Sequence, residues 1–174
     1  MENRFITNLK MRRSIRAYLA KMPPPESIKR ITEAGSYAPN GLGKQSATIV
    51  VVTEKSLRDR LSKMNAAILG STADPFHGAP MVLIVLADRS VPTYIYDGAL
   101  VMGNMLNAAH SEGLGSCWVH RAKEMFESEE GRALLNEWEL QGELEGIGCC
   151  VLGYSSDEEL PQPRPRKKDY IIYV

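Results

Sequence analysis

The sequence predicts an α+β fold, with helices packed against both faces of a central sheet. Three observations carry this. Apolar, β-prone runs short enough for strands recur at residues 47–53, 81–86 and 147–152. Segments with helical character alternate with them, which argues for layered helix–sheet–helix packing. The run Met81-Val82-Leu83-Ile84-Val85-Leu86 is apolar at every position, as a central strand covered on both faces would be.

Each element follows in order. Asn3 to Met11 reads as a short helix with Phe5, Ile6 and Leu9 on one side. Pro23-Pro24-Pro25 stops the segment that follows it. Glu26 to Tyr37 reads as a helix: a proline stands near its first turn, Glu26 favours its dipole, and Ile28, Ile31 and Ala34 share its inner face. Pro39-Asn40-Gly41-Leu42-Gly43-Lys44-Gln45 is a loop by its punctuation. Ala47 to Thr53 is a strand, Leu57 to Ala67 a helix, and Gly70 to Pro80 a loop.

Thr93 to Glu112 is a long helix, apolar around most of its circumference, so it must be buried in the core or against a partner. Gly113 ends it as a C-cap glycine would. Cys117 to Val119 is a short strand, Lys123 to Trp138 holds one or two helices, and Ile147 to Leu152 is a buried strand. Prolines extend Pro161 to Arg166, and Tyr170 to Val174 reads as a final strand. The order of strands is not readable from these signals.

Length and composition bound the function. At 174 residues the chain is expected to form one domain over 1–174, large enough for a proper core. Lysine plus arginine equals aspartate plus glutamate, at 21 each, so no general nucleic-acid-binding surface is expected. Met1 to Arg16 is polar and basic and is no secretory signal. Met81 to Ala87 is too short to cross a bilayer, so no membrane role is expected. The three cysteines, Cys117, Cys149 and Cys150, lack framework spacing and read as reduced thiols of a cytoplasmic protein.

The chemistry-bearing segments lie at the two ends. Arg12-Arg13-Ser14-Ile15-Arg16 and Arg164-Pro165-Arg166-Lys167-Lys168 stand out in a chain without net charge. Guanidinium forks match phosphate geometry, so two such segments can converge on one phosphate. Taken singly, each also reads as a solvated basic stretch, or, for the second, as a proline-rich ligand. The glycines of the 39–45 loop allow backbone to approach a flat ligand. That loop is no P-loop, and no G-x-G-x-x-G is present. His77, His110 and His120 lack metal-site spacing, and no G-x-S-x-G marks a hydrolase.

Taken together, these segments resemble the nitroreductase family of FMN-dependent oxidoreductases. Arg12-Arg13-Ser14-Ile15-Arg16 looks like the family's N-terminal R-R-S-x-R signature. Ala38-Pro39-Asn40 through Gln45 precedes a strand, Gly78-Ala79-Pro80 leads into the apolar strand, and Gly113-Leu114-Gly115-Ser116-Cys117-Trp118 follows the long helix. Ile147 to Tyr154 resembles the late strand ending in Gly-Tyr, and Arg164-Pro165-Arg166 the basic pair before the C-terminal strand.

The resemblance implies a three-layer α-β-α sandwich with a mixed, mostly antiparallel sheet, in an intertwined homodimer with FMN at its interface. Arg12 and Ser14 would hold the FMN phosphate with Arg13 close by, and Arg164 and Arg166 would complete that site. Arg16 would approach the N1/O2 edge of the ring. Pro39, Asn40 and Gly41 would come from the other subunit's loop, with Gln45 near the cofactor. The backbone at His120 and Arg121 would lie near flavin N5. The chain departs from the family at Gly43, at Ser46-Ala47 and at His120-Arg121.

The activity implied is hydride transfer from NAD(P)H through FMN to a small-molecule acceptor, a flat electrophile such as a nitroaromatic or quinone, by ping-pong turnover. An FMN-binding sensor or storage protein is the alternative. A polyanion-binding module using the basic ends is a third reading.

Overall fold

The computed structural model describes residues 3–157 and 159–174. Among the described residues, six α-helices and four strands follow one another, with one short 3-10 turn at Gly41–Gly43: α1 Arg4–Met11, α2 Pro25–Ser36, β1 Ala47–Val52, α3 Lys55–Leu69, β2 Met81–Asp88, α4 Tyr94–Ser111, β3 Gly115–Val119, α5 Ala122–Glu127, α6 Glu129–Glu137 and β4 Leu144–Gly153. The strands form one sheet in the order β1-β2-β4-β3, and every strand pair is antiparallel. The parallel component is a single bridge between Ser14 and Ser116.

Local chemistry explains the helix ends. Pro25 opens α2 with Glu26 in its first turn. At the end of α4, the Gly113 N–H donates to the His110 carbonyl and the Leu114 N–H to that of Ala109, with Gly113 at φ +72°. This double bond pattern satisfies the last carbonyls and needs the left-handed glycine.

The sheet separates two apolar cores. On one face Leu61, Phe76, Val82, Ile84, Met125, Leu134 and Cys149 pack beneath α3, α5 and α6. On the other, Ile28, Ile31, Leu83, Val85, Met102, Met105 and Cys150 pack beneath α2 and α4. β2 is therefore buried from Met81 to Ala87, as its unbroken apolar run requires. All three cysteines are buried free thiols. Burial pushes the Cys149 thiol up to about 12 against the opposing charge of Arg121, and raises Cys150 too.

One irregularity shapes the site. The β2–β4 register shifts between Val85, paired with Gly148, and Leu86, paired with Gly146, leaving Ile147 as the extra residue. A side chain at Gly146 would run into the Ala122 carbonyl, and one at Gly148 into the Trp118 indole. On α4, Gly98 makes room for Ile147.

Two apolar segments are left uncovered in the single chain. Tyr170–Val174 is exposed and joins no strand ladder, because it has no neighbouring strand within the single chain. The apolar side of α1 is also uncovered: no residue of α1 is buried, and Phe5, Ile6, Leu9 and Met11 face outward. Among the described residues, no helix is long and apolar enough to cross a membrane.

Candidate functional site

After α1 the chain crosses one end of the sheet. Ser14 bridges Ser116, and the Ile15 N–H donates to the Ser116 carbonyl at 3.0 Å. Tyr18 bridges Ser155, and the Leu19 N–H donates to the Tyr154 carbonyl at 2.9 Å. Ile15 is 1% exposed and lies against Gly115, where an added Cβ would come to 3.0 Å from its side chain. These ties fix the backbone that carries Arg12, Arg13, Ser14 and Arg16.

The arginines here differ in what they touch. Arg13 donates from Nη1 to the Lys10 and Arg12 carbonyls, both at 2.7 Å, and from Nε to the Pro161 carbonyl at 3.1 Å. It therefore covers carbonyls at the end of α1 and ties down the tail. Arg12 Nη1 is buried and has no hydrogen-bond partner among the described residues. A buried guanidinium N–H without an acceptor is rare, and a phosphate oxygen is an acceptor that fits it.

The charges here reach their neighbours. Burial, then Arg12 and Arg13, hold the His110 imidazole below its usual value. Burial, then Arg16, do the same to His77, with Asp74 opposing. Arg164 and Arg166 are exposed, and Arg166 Nη2 donates to the Arg164 carbonyl at 2.8 Å. Within the single chain, the tail meets the first basic segment through Arg13 and Pro161.

The 39–45 loop is organised by a carboxylate that the sequence did not flag. Asp97, 3% exposed on α4, accepts from the Gly41 N–H at 3.0 Å, the Ser46 hydroxyl at 2.7 Å and the Thr93 hydroxyl at 3.0 Å. Burial alone would raise its pKa, but the Ser46, Gly41 and Thr93 donors bring it below the ordinary carboxylate value. Asn40 Oδ1 accepts the Gln45 N–H at 2.9 Å and closes the loop. Asn40 and Gln45 line a crevice of about 550 Å³ together with Thr32, Ser36 and Ile49. Pro39 is exposed beside it.

A second missed feature is a buried polar stripe on α3. Arg58, Ser62 and Asn65 share one face by their spacing and are 7%, 5% and 0% exposed. Arg58 Nε donates to the Ala79 carbonyl at 2.8 Å, and its Nη2 meets Asp74 at 2.6 Å. Asp74 also accepts from the Ser62 hydroxyl and, at 2.8 Å each, from the Phe76 and Gly78 N–H groups. Asn65 Nδ2 donates to the His120 carbonyl at 2.7 Å, and its Oδ1 accepts from Arg121 Nε at 3.0 Å. One helix face thus fixes both the 74–79 loop and the turn after β3. Each carries a residue at positive φ, His77 at +55° and Arg121 at +76°. His120 is exposed, its ring 5.8 Å from that of Trp118.

Asp74 makes this arrangement acid-sensitive. Burial opposes its charge, but Ser62, Arg58 and the Gly78 and Phe76 N–H groups lower its pKa from 3.8 to about 2. A depressed carboxylate stabilises the fold above its unfolded pKa and loses that contribution as pH falls through the folded one. With the side chain 35% exposed, solvent screening reduces this to about 1 kcal/mol. The stability gap between wild type and Asp74→Asn is expected to narrow by that amount between pH 6 and pH 2. Urea unfolding at the two pH values checks it.

The family model described as "Nitroreductase family" matches residues 9–73 and 67–154. The chain belongs to the nitroreductase family. Its closing segment, with Arg164 and Arg166, lies outside the matched residues. A solved nitroreductase with bound FMN from Bacteroides fragilis is 27% identical, with a TM-score of 0.91 over 99% of this chain and 100% of that one. An FMN-bound nitroreductase from Desulfitobacterium hafniense, 23% identical, shares the fold with a TM-score of 0.89 over 100% of both chains.

Among curated relatives, the FMN reductase [NAD(P)H] of Bacillus subtilis is 24% identical over 93% of this chain and 70% of its own length. A Methanothermobacter thermautotrophicus protein named as a candidate NADH dehydrogenase/NAD(P)H nitroreductase is 29% identical over 64% of this chain. The match spans 58% of that relative's length. The nitroreductase fold explains the layered sheet and the helix pair α2 and α4 on one face.

Proposed function

We propose that this nitroreductase-family chain is an FMN-dependent oxidoreductase, acting over 1–174 as one FMN-binding unit within a homodimer. The observation that carries the reading is the buried Arg12 Nη1, next to the Ser14–Ser116 bridge, which has no acceptor among the described residues. FMN-bound family members of the same fold support it. When bound, FMN would supply the redox chemistry, hydride transfer from NAD(P)H to a flat electrophilic acceptor such as a nitroaromatic or quinone by ping-pong turnover.

The chain's own residues bind and orient. Arg12 and Ser14 would hold the phosphate, with Arg13 beside them and Arg164 and Arg166 reaching in from the tail. A fixed cation at Arg16 would favour negative charge at the N1/O2 edge of the ring. The backbone at His120 and Arg121, held by Asn65, would face N5. The loop Pro39-Asn40-Gly41, latched by Asp97, would reach the site of a second copy, and Gln45 would line the same crevice. The exposed Ile95, Tyr96 and Leu100 of α4 and the uncovered tail support burial against that copy. The buried free thiols fit a reducing compartment such as the cytoplasm.

A visible spectrum of the purified protein, before and after anaerobic NADPH and then NADH, tests the proposal. Flavin bands that bleach with either donor are expected. Bands that resist both donors would favour a sensor or storage protein. A colourless protein that cannot be reconstituted with FMN would end the flavin reading.

A further inference from the structure

The arginine at the turn after β3 is held by a buried amide, where four other arginines of the folded body are held by carboxylates. Arg30 pairs with Glu112, Arg58 with Asp74 and Asp59, Arg60 with Glu130, and Arg89 with Glu145. Arg121 has no carboxylate partner among the described residues. Its one hydrogen bond runs from Nε to Asn65 Oδ1 at 3.0 Å. Asn65 is fully buried and is itself fixed by donating to the His120 carbonyl at 2.7 Å. Arg121 Nη1 and Nη2 have no acceptor among the described residues, and on this half-buried residue both remain accessible to solvent.

This combination is costly without a function. Arg121 holds φ +76°, a conformation that a side chain other than glycine, asparagine or aspartate rarely adopts. A surface arginine needs neither that backbone nor a buried amide to steer it. Holding Nε from behind leaves the two Nη groups as a pre-oriented fork, and a planar fork is the geometry that receives a carboxylate or phosphate in bidentate fashion. Pre-orientation also lowers the ordering cost of binding.

We propose that Arg121, oriented by Asn65, is an anion receptor of the active site, so that a reactant of this enzyme carries a carboxylate or phosphate group. The proposal rests on the flavin reading for the place of Arg121 beside the cofactor, and it adds the charge of the substrate. Two reactants share this chemistry: an acidic acceptor, and the dinucleotide donor through a phosphate. Asn65 is the positioning residue, because it acts through Arg121.

The test begins with FMN content, read from the spectrum of wild type, Arg121→Gln, Arg121→Lys and Asn65→Ala. Retained flavin shows that the variants fold, and absence of flavin in all four would indict the flavin reading alone. Calorimetric titration with benzoate and with neutral benzamide follows on each protein. It needs no turnover and no flavin signal. Benzoate binding is expected to weaken at least tenfold in Arg121→Gln and by less in Arg121→Lys, which keeps the charge but loses the fork. Asn65→Ala should fall between wild type and Arg121→Gln, while benzamide stays unchanged throughout.

Stopped-flow reduction by NADPH and NADH separates the sources. A weaker half-saturation for NADPH alone in Arg121→Gln, with benzoate binding unaltered, would assign the receptor to the donor's extra phosphate. Unchanged benzoate binding together with unchanged reduction by both donors in Arg121→Gln would overturn the proposal.

Discussion

Replacing Gly146 by alanine is expected to cost about 3 kcal/mol or more of folding stability, the upper range for overpacking a filled core. The added methyl would overlap the Ala122 carbonyl, which is backbone and has no rotamer to yield. Either the first turn of α5 lifts from β4 or the bulge at Ile147 is lost. Ala122 follows Arg121 directly, so the strain passes into the turn that Asn65 holds. Urea unfolding would read the stability loss. Hydrogen exchange at residues 122–125 would show whether α5 is the part that yields. A variant as stable as wild type would mean that α5 does not pack directly on Gly146.

Replacing Arg12 by methionine is expected to move two quantities in opposite directions. FMN affinity should fall about 100-fold, or about 2.7 kcal/mol, within the range for losing charge-assisted bonds to a phosphate. The protein without FMN should become more stable by about 1 kcal/mol, because a buried N–H without an acceptor is removed while the aliphatic stem is kept. A residue that served the fold alone would lower stability and leave affinity unchanged. Fluorescence titration with FMN and urea unfolding of the apoprotein are the two measurements. Unaltered FMN affinity would move the phosphate site away from Arg12.

The elements were legible where one periodicity dominated. Met81 to Leu86 announces a doubly covered strand, and Gly113 marks the end of α4, whose last helical residue is Ser111, one before the expected Glu112. Strand order was not legible, because antiparallel pairing of β2 with β4 depends on contacts about 65 residues apart, which no local pattern encodes. The family signature at Arg12 to Arg16 pointed to a phosphate, yet it did not distinguish Arg13, spent on the carbonyls of α1, from Arg12, left without an acceptor.

Asp97 and the Arg58–Ser62–Asn65 stripe were missed for one reason. Helical faces were read by their apolar residues, and the informative residues were polar groups turned inward. Their 4- and 3-residue spacing, interleaved with Leu61 and Met64, was the available signal. Tyr170–Val174 is β-prone yet unpaired in the single chain, because β propensity says that a segment suits a ladder, not that a neighbour exists in the same chain.

The placement of the sulfur atoms has a consequence for durability. Quinones and partly reduced nitro compounds are soft electrophiles, and the species they attack is a thiolate. Cys117, Cys149 and Cys150 all lie inside the sheet layer, and Cys149 and Cys150 are held in the protonated form by burial. A catalyst that releases such products would therefore meet none of them with a reactive sulfur of its own. Its working lifetime would be limited by loss of cofactor or unfolding rather than by self-arylation.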